Sequence, residues 1–522
     1  MIVRTVITAV LAAYAIFITM RYNMHMFQLN GYKNGEHIRW LGKTIRMQWV
    51  LIAALILGIA RFFITHIALD IVIWFFLWLI IVVYRALRRM KAKKKLVYTK
   101  RVIRMIVCMV ILIAAVCAVT VLFGKLEMVS AVLMTLVGAQ VFLYIIANII
   151  NHPIEYMVNR HFINDAKRIL KSVDGLTIIG ITGSYGKTSV KFFLKTLLQD
   201  RFNVLVTPES YNTPMGVVKT IRGSMKPTHE IFVCEMGARH IGDIKEICDI
   251  VHPHHGVITS VGPQHLETFL NIGNIKKTKF ELADAIPDGG MLFLNGDNEH
   301  IRDQAKGYGK KDRIYYYEES DGAGYKAKDL KLSQTGTEFT VTTPNGEEEV
   351  FSTRLIGGHN VINIMAAISV AHRLGMSLKS LKVPVRRIEP VAHRMQLIDH
   401  GEVTIIDDAY NSNPVSSKAA VETLAMFDGI KILITPGMVE LGEKEEEYNY
   451  KFGTYAADCC DYILLVGRKR SKPIRDGVLS KGFPEEKCLV YDKLEDAVQY
   501  AYKIKGQGHK YILLENDLPD NY

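Results

Sequence analysis

Paired metal-binding cysteines are missing from this chain. Its seven cysteines, Cys108, Cys117, Cys234, Cys248, Cys459, Cys460 and Cys488, are scattered, with no CxxC pair and no Cys/His metal spacing. That excludes a zinc-ligand motif and a disulfide framework. It reads as reduced thiols packed as small apolar groups, with Cys459–Cys460 as a helix-packing pair. The first apolar segment has no small-residue cleavage site, which argues for a retained helix rather than a signal peptide. Acidic residues are the minority charge, 52 Asp and Glu against 64 Lys and Arg, for a net charge of +12. A basic balance admits a nucleic-acid partner, but many of these charges flank apolar segments. There they set membrane topology or touch anionic lipid, so no nucleic acid is expected.

Apolar residues are abundant, 49% of 522 residues. They concentrate before residue 150, and the remainder reads as an ordinary α/β protein. A chain of this length suggests about three domains. A bilayer crossing takes about 20 mostly apolar residues, and the candidate spans are Ile2–Met20, Gln48–Thr65, Ile67–Tyr84, Ile103–Phe123 and Met128–Ile150. Arg61, His66 and Asp70 surround the link between the second and third, either reaching the interface from a tight hairpin or forming an intramembrane polar site. The loop Arg85–Arg104 holds ten Lys and Arg residues, a cytoplasmic signal. Five spans then place the N-terminus outside and everything after Ile150 in the cytoplasm, where ATP is. The expected localisation is a bacterial cytoplasmic membrane, crossed several times, with the lipid bilayer as a partner. Phe27–Trp40 mixes aromatic, apolar and basic residues, and Pro153–Lys171 is amphipathic. Both are either membrane-face contacts or plain connectors.

Leu176–Gly180 is a short β-rich run, followed by Gly180-Ile-Thr-Gly-Ser-Tyr-Gly-Lys-Thr188 and a helical stretch, Ser189–Leu198. Strand, glycine-rich loop and helix in that order form a phosphate loop. Gly183, Ser184 and Gly186 bring backbone N–H groups to phosphate oxygens, and the helix N-terminus adds positive potential. Lys187 can neutralise the β- and γ-phosphates, and the Thr188 hydroxyl can ligate Mg²⁺. Ile231–Gly237 is an apolar strand ending at Glu235, a carboxylate placed beside the loop to hold the same cation.

The loop spacing, with Ile181 where the general Walker form has glycine, resembles the Mur ligases, and later segments resemble the MurF type that adds D-Ala-D-Ala. The resemblance runs from about residue 175 nearly to the C-terminus. After the α-helical transmembrane region read from the apolar runs, the resemblance implies α/β structure. The α/β part would hold a central P-loop-type parallel-sheet ATPase domain and a C-terminal Rossmann-like domain. The expected limits are 1–150 for the membrane region, 151–174 for an amphipathic linker, 175–392 for the central domain and 393–522 for the last. By the same resemblance His265, in Thr259–Glu267, is a ligand of a second Mg²⁺. Lys279 is the lysine that CO₂ converts to a carbamate, with Lys276 and Lys277 as close competitors. A carbamate is an anionic oxygen ligand suited to a hard cation. Asn360, in Gly358-His-Asn360, contacts adenine. Arg394, in the His393-Arg394 hinge, contacts nucleotide phosphate. Asp408, in Asp407-Asp408-Ala-Tyr-Asn-Ser-Asn413, binds ribose. Thr207-Pro208 with Asn212 and Gly216 resembles a substrate-side loop, and Glu440-Leu-Gly442 follows a Met-x-Glu-Leu-Gly motif.

Two departures stand out. Membrane spans occupy the place of the family's UDP-sugar-binding domain, and Leu513–Tyr522 replaces a Lys-Gly-Ser-Arg ending. The expectation is an ATP- and Mg²⁺-dependent carboxylate–amine ligase working through an acyl phosphate. Its partners would be a UDP- or lipid-linked cell-wall peptide and an amino acid or dipeptide. A polyglutamate-type amide ligase, and a membrane scaffold or transporter component, are the competing readings.

Overall fold

The computed structural model describes residues 2–44, 49–63, 72–73, 75–77, 79–81, 83, 95–123, 128–318, 320, 322–410 and 412–517. The chain divides into two compact units, Met1–His161 and Phe162–Leu518.

The first unit is helical: Ile2–Leu29, Asn34–Thr44, Trp49–Arg61, Lys100–Leu122, Val129–Gly138 and Gln140–Lys171, the last continuing into the second unit. Two described helices are long and apolar enough to cross a membrane, Lys100–Leu122 and Gln140–Lys171. Only 11% of the most apolar stretch of Lys100–Leu122 is buried, so its side chains face outward as those of a soluble core helix do not. Of the predicted span Gln48–Thr65, the described residues form the helix Trp49–Arg61. The predicted span Met128–Ile150 divides at Ala139, directly after Gly138. A Cβ on Gly138 would strike Leu55, and one on Gly58 would strike Thr135. These small residues therefore let two helix backbones cross closely. Half of the span Ile67–Tyr84, half of the basic loop, and His66 and Asp70 lie outside the described residues. Arg61 is buried. The linker expected over 151–174 is instead largely a continuation of Gln140–Lys171, with Pro153 inside the helix. Glu155 on this helix accepts from Arg104 Nε at 2.8 Å, tying it to Lys100–Leu122.

The second unit holds two sheets. The first runs β2-β3-β1-β4-β5-β6-β7-β8-β9, with β1 Thr177–Thr182, β2 Val204–Val206, β3 Ile231–Glu235, β4 His255–Ile258, β5 Met291–Asn295, β6 Asp312–Tyr317, β7 Tyr325–Ser333, β8 Gly336–Thr342 and β9 Glu348–Thr353. The pairs from β2 through β7 are parallel, and β7-β8-β9 is antiparallel. Alternate residues feed two cores. Ile179 and Ile181 of β1 pack with Val190, Phe193 and Leu194 of the following helix. Ile178 packs with Phe232, Ile244 and Ile247 on the other face, as a sheet covered on both sides requires. The second sheet runs β10-β11-β15-β12-β13-β14, with β10 Gln396–Asp399, β11 Val403–Asp408, β12 Ile430–Thr435, β13 Tyr462–Val466, β14 Cys488–Tyr491 and β15 Lys510–Glu515. Only β10 runs antiparallel to its neighbour. Because β1 lies between β3 and β4, its C-terminal end opens onto the crevice where open α/β sheets bind ligands.

Candidate active site

The loop after β1 is shaped by glycine. Gly186 has φ 83° and Gly183 φ 154°. A Cβ on Gly186 would strike the Asn363 amide, and one on Gly183 the Thr259 hydroxyl. The loop then enters the helix Lys187–Leu198, with Gly186 as its N-cap. Ser184 donates its N–H to Ser260 O at 2.9 Å, and its hydroxyl both donates to and accepts from Gly262, each at 3.0 Å. Its donors are thus spent on holding the loop against the segment after β4. Ser184 shapes the cradle, and the N–H groups of Gly186, Lys187 and Thr188 remain to face an anion.

Lys187 Nζ donates to the Gly183 and Ser184 carbonyls at 2.7 and 3.2 Å. Burial lowers its ammonium to about 8, with Glu235 opposing and Arg394 adding to the shift. Register pairs Ile181 with Glu235, so the end of β3 sets that carboxylate beside the loop. Glu235 Oε1 accepts from Thr188 Oγ1 at 3.2 Å and from Asn212 Nδ2 at 2.9 Å. Its Oε2 accepts from Lys191 Nζ at 2.9 Å. Burial pushes the Glu235 carboxyl up, but Lys191, Lys187 and the hydrogen bonds from Lys191 and Asn212 outweigh it and hold it below its ordinary value.

From the other side Arg394 Nη2 reaches Thr188 Oγ1 at 3.4 Å, and its guanidinium lies 4.6 Å from the centroid of the Tyr410 ring. Asp408, at the end of β11, accepts from Met395 N–H at 3.2 Å. Burial raises its carboxyl to about 6, against the pull of Arg394. A cavity of about 1390 Å³ runs from Thr188 and Arg394 along the helix Lys187–Leu198, bounded by Arg354 and the hinge residues Ile388–Arg394.

His265 and Lys279 complete the set. His265, with φ 52°, directs Nδ1 to Glu440, whose other oxygen meets Arg239 at 3.2 Å. Burial lowers the His265 imidazolium, with Glu440 opposing. Lys279 is 2% exposed. Burial, reinforced by Lys187, depresses its ammonium well below the usual lysine range, and no carboxylate pairs with it among the described residues. Asn360 donates to Ile356 O at 2.8 Å, while Asn363 packs its side chain against Gly186.

The structure thus brings Gly183, Gly186, Lys187, Thr188, Glu235, Arg394 and Asp408 into one constellation. His265 and Lys279 lie along its edge, and Asn360 starts the helix beside the loop. Sequence reasoning missed Lys191 and Arg239, because a lysine inside a helix and an arginine in a loop both read as solvent-facing. His359, inside the Gly358-His-Asn360 motif, has its Nδ1 buried without a hydrogen-bond partner. Among the described residues no three His, Cys, Asp or Glu side chains form a metal cage. Mg²⁺ held with a nucleotide requires none, since one or two carboxylates plus phosphate oxygens and water suffice. Thr188 Oγ1 and Glu235 Oε1 are hard oxygen donors that fit this pattern.

A phosphate loop with an adjoining carboxylate, an arginine from the hinge and an acid from a second α/β domain define a nucleoside triphosphate-using enzyme. The Mur ligase middle domain matches residues 181–371, and the Mur ligase, glutamate ligase domain matches residues 393–514. The UDP-N-acetylmuramoyl-tripeptide–D-alanyl-D-alanine ligase of Bacillus subtilis (strain 168) is 30% identical over 352 residues, 66% of this chain and 73% of that protein. That of Escherichia coli (strain K12) is 28% identical over 341 residues, 65% of this chain and 75% of the relative. The MurF ligase of Thermotoga maritima in complex with ADP superposes with a TM-score of 0.61 at 25% identity, covering 69% of this chain and 80% of that one. The chain belongs to the Mur ligase family. It is an ATP-dependent ligase that forms an amide bond, and its relatives and structural neighbours are of the MurF type.

Proposed function

We propose that this protein is a membrane-attached MurF-type ligase joining D-Ala-D-Ala, or a closely related amine, to the terminal carboxylate of a cell-wall tripeptide precursor. The observation that carries the reading is the convergence of Lys187, Thr188 and Glu235 with Arg394, Tyr410 and Asp408, residues from two domains meeting at one phosphate loop.

The chemistry follows from charge. Transfer of the ATP γ-phosphoryl group to the substrate carboxylate brings two anions together. The Gly186–Thr188 N–H groups, Lys187 and Arg394 neutralise the phosphates. Thr188 and Glu235 would hold Mg²⁺, which would neutralise phosphate charge there. The resulting acyl phosphate is attacked by the amine, and phosphate leaves from a tetrahedral adduct. His265 and a carbamate on Lys279 are assigned to a second Mg²⁺. Carbamate formation needs a neutral amine, and burial disfavours the Lys279 ammonium. Asn360 is assigned to adenine and Asp408 to ribose. A central catalytic domain over 175–392 and a C-terminal domain over 393–522 are assigned with them.

The membrane attachment rests on Lys100–Leu122, whose Val107, Val110, Ile111 and Val119 are about half exposed, and on the apolar first part of Gln140–Lys171. With the first unit in a membrane, the catalytic residues face the cytoplasm and the acceptor is lipid-linked or delivered at the membrane surface.

The deciding assay offers the purified protein ATP, Mg²⁺, D-Ala-D-Ala and either UDP-linked or lipid-linked tripeptide, with products read by mass spectrometry. Lys187→Ala is expected to abolish product and substrate-dependent ADP release, a loss of at least ~10³-fold. Unchanged ADP release by that variant sinks the reading.

A further inference from the structure

Lys191 lies one turn beyond Lys187 on the same helix. The Lys191 side chain is 0% exposed and its partner Glu235 1% exposed. Lysine is almost never buried to this extent unless paired. The pair is 2.9 Å apart, and a second bond runs from Lys191 Nζ to the backbone carbonyl of Glu209. Glu209 has φ 41°, an uncommon conformation for a side-chain-bearing residue. It belongs to the loop Thr207–Asn212, which is fastened to Glu235 at two further points. The Glu235 N–H donates to Thr207 Oγ1 at 3.1 Å, and Asn212 Nδ2 donates to Glu235 Oε1 at 2.9 Å.

Stability alone does not explain a fully buried ion pair, because an apolar pair of the same volume often does as well. Geometry offers a different account. Lys191 takes Glu235 Oε2 and leaves Oε1 facing Thr188 Oγ1 at 3.2 Å. With Oε2 held by Lys191 and Oε1 by Asn212, the carboxylate is tethered at both ends, so Oε1 stays beside the phosphate-loop hydroxyl. The same ammonium fixes the loop that runs from the end of β2 to the following helix.

We propose that Lys191 is a positioning residue that couples the two halves of the site. It orients Glu235 toward the metal position beside Thr188, and through the Glu209 carbonyl it fixes the loop Thr207–Asn212 on the acceptor side. Binding of Mg²⁺–nucleotide and ordering of the acceptor loop then share one cation. This rests on the ligase reading above.

The test uses the full chain in detergent or nanodiscs, comparing wild type, Lys191→Met and Lys191→Arg. Thermal unfolding is measured first, and Lys191→Gln replaces the methionine variant if that one does not fold. Three quantities are then read: affinity for a fluorescent, non-hydrolysable ATP analogue at limiting and saturating Mg²⁺, KM for Mg²⁺–ATP, and KM for the tripeptide precursor. The expected result for Lys191→Met is analogue affinity at least tenfold weaker at limiting Mg²⁺ and partly restored at saturating Mg²⁺. Both KM values rise together, and Lys191→Arg recovers most of the loss. Unchanged affinity and KM values overturn the proposal. So does a fall in melting temperature with unchanged affinity in the folded fraction, which assigns Lys191 to packing alone. Wild-type protein that binds no nucleotide overturns the ligase reading instead.

Discussion

At the scale of single residues, burial decides which charges the protein keeps. Lys279 and Glu515 are both buried, and each is pushed toward its neutral form. For Lys279 neutrality is what carbamate formation demands, so Lys279→Ala should lose activity by about 10²-fold or more. Short carboxylic acids should restore part of it by supplying the missing oxygen ligand. An inactive, unrescued variant with normal nucleotide affinity counts against the carbamate. Glu515 stands within the divergent ending. Burial raises its carboxyl to about 8 from 4.5, with Asp408 adding to the shift and hydrogen bonds from Ser412 and Thr435 opposing it. Between those values the folded state holds a proton that the unfolded chain has released. The associated stability is therefore present below about pH 4.5 and is lost as pH rises toward 8, by at most ~1.4 kcal/mol per pH unit. Denaturant unfolding at pH 5, 6.5 and 8 should show this slope in the wild type and a flatter one in Glu515→Gln. Equal slopes would remove Glu515 as the cause. The motif residues at the phosphate loop were legible because their signal is local: glycine where φ is positive, lysine and threonine where a helix begins. The environments of Lys191 and Glu515 were not, because burial is set by chain far away in sequence.

At the scale of elements, the order of strands does most of the positioning. With β1 between β3 and β4, the loop after β1, Glu235 at the end of β3 and Thr259 after β4 fall side by side. Alternating strands and helices made the parallel sheets legible in the sequence, but not the partner that each strand end would meet. The Met-x-Glu-Leu-Gly segment shows the difference. It reads as a family signature, and only the fold places Glu440 against His265 and Arg239, 175 residues distant along the chain in the case of His265. The contact joins the C-terminal domain to the loop after β4. It occupies His265 Nδ1, the geometry by which an outer carboxylate would orient the proposed metal-ligand histidine. Glu440→Ala is therefore expected to lower kcat by about 10–100-fold, with little change in melting temperature and a steeper Mg²⁺ requirement. Steady-state kinetics across a Mg²⁺ titration checks this, and a wild-type kcat in the variant would show that the contact has no catalytic consequence.

At the scale of the whole molecule, a cell-wall ligase core follows a helical unit. The sequence made that unit legible as apolar and helical, since runs of apolar residues need no tertiary information. It did not reveal where the helices would break. The division at Ala139 accompanies the close approach of Gly138 to Leu55, and a contact between helices leaves no mark in a hydropathy profile. Lys100–Leu122 exposes many apolar side chains. At roughly 25 cal/mol per Å² of apolar surface removed from water, leaving so many large aliphatic side chains in water costs more than an ordinary surface helix could offset. The membrane attachment proposed above would relieve that exposure. If this is right, the full chain should stay with the membrane fraction after high salt and after alkaline carbonate, and only detergent should release it. Protease added to inside-out vesicles should digest the catalytic unit, while right-side-out vesicles protect it. Release by salt or carbonate alone would reduce the helical unit to a peripheral contact, and protection in inside-out vesicles would place the ATP-using site on the wrong side for its substrate.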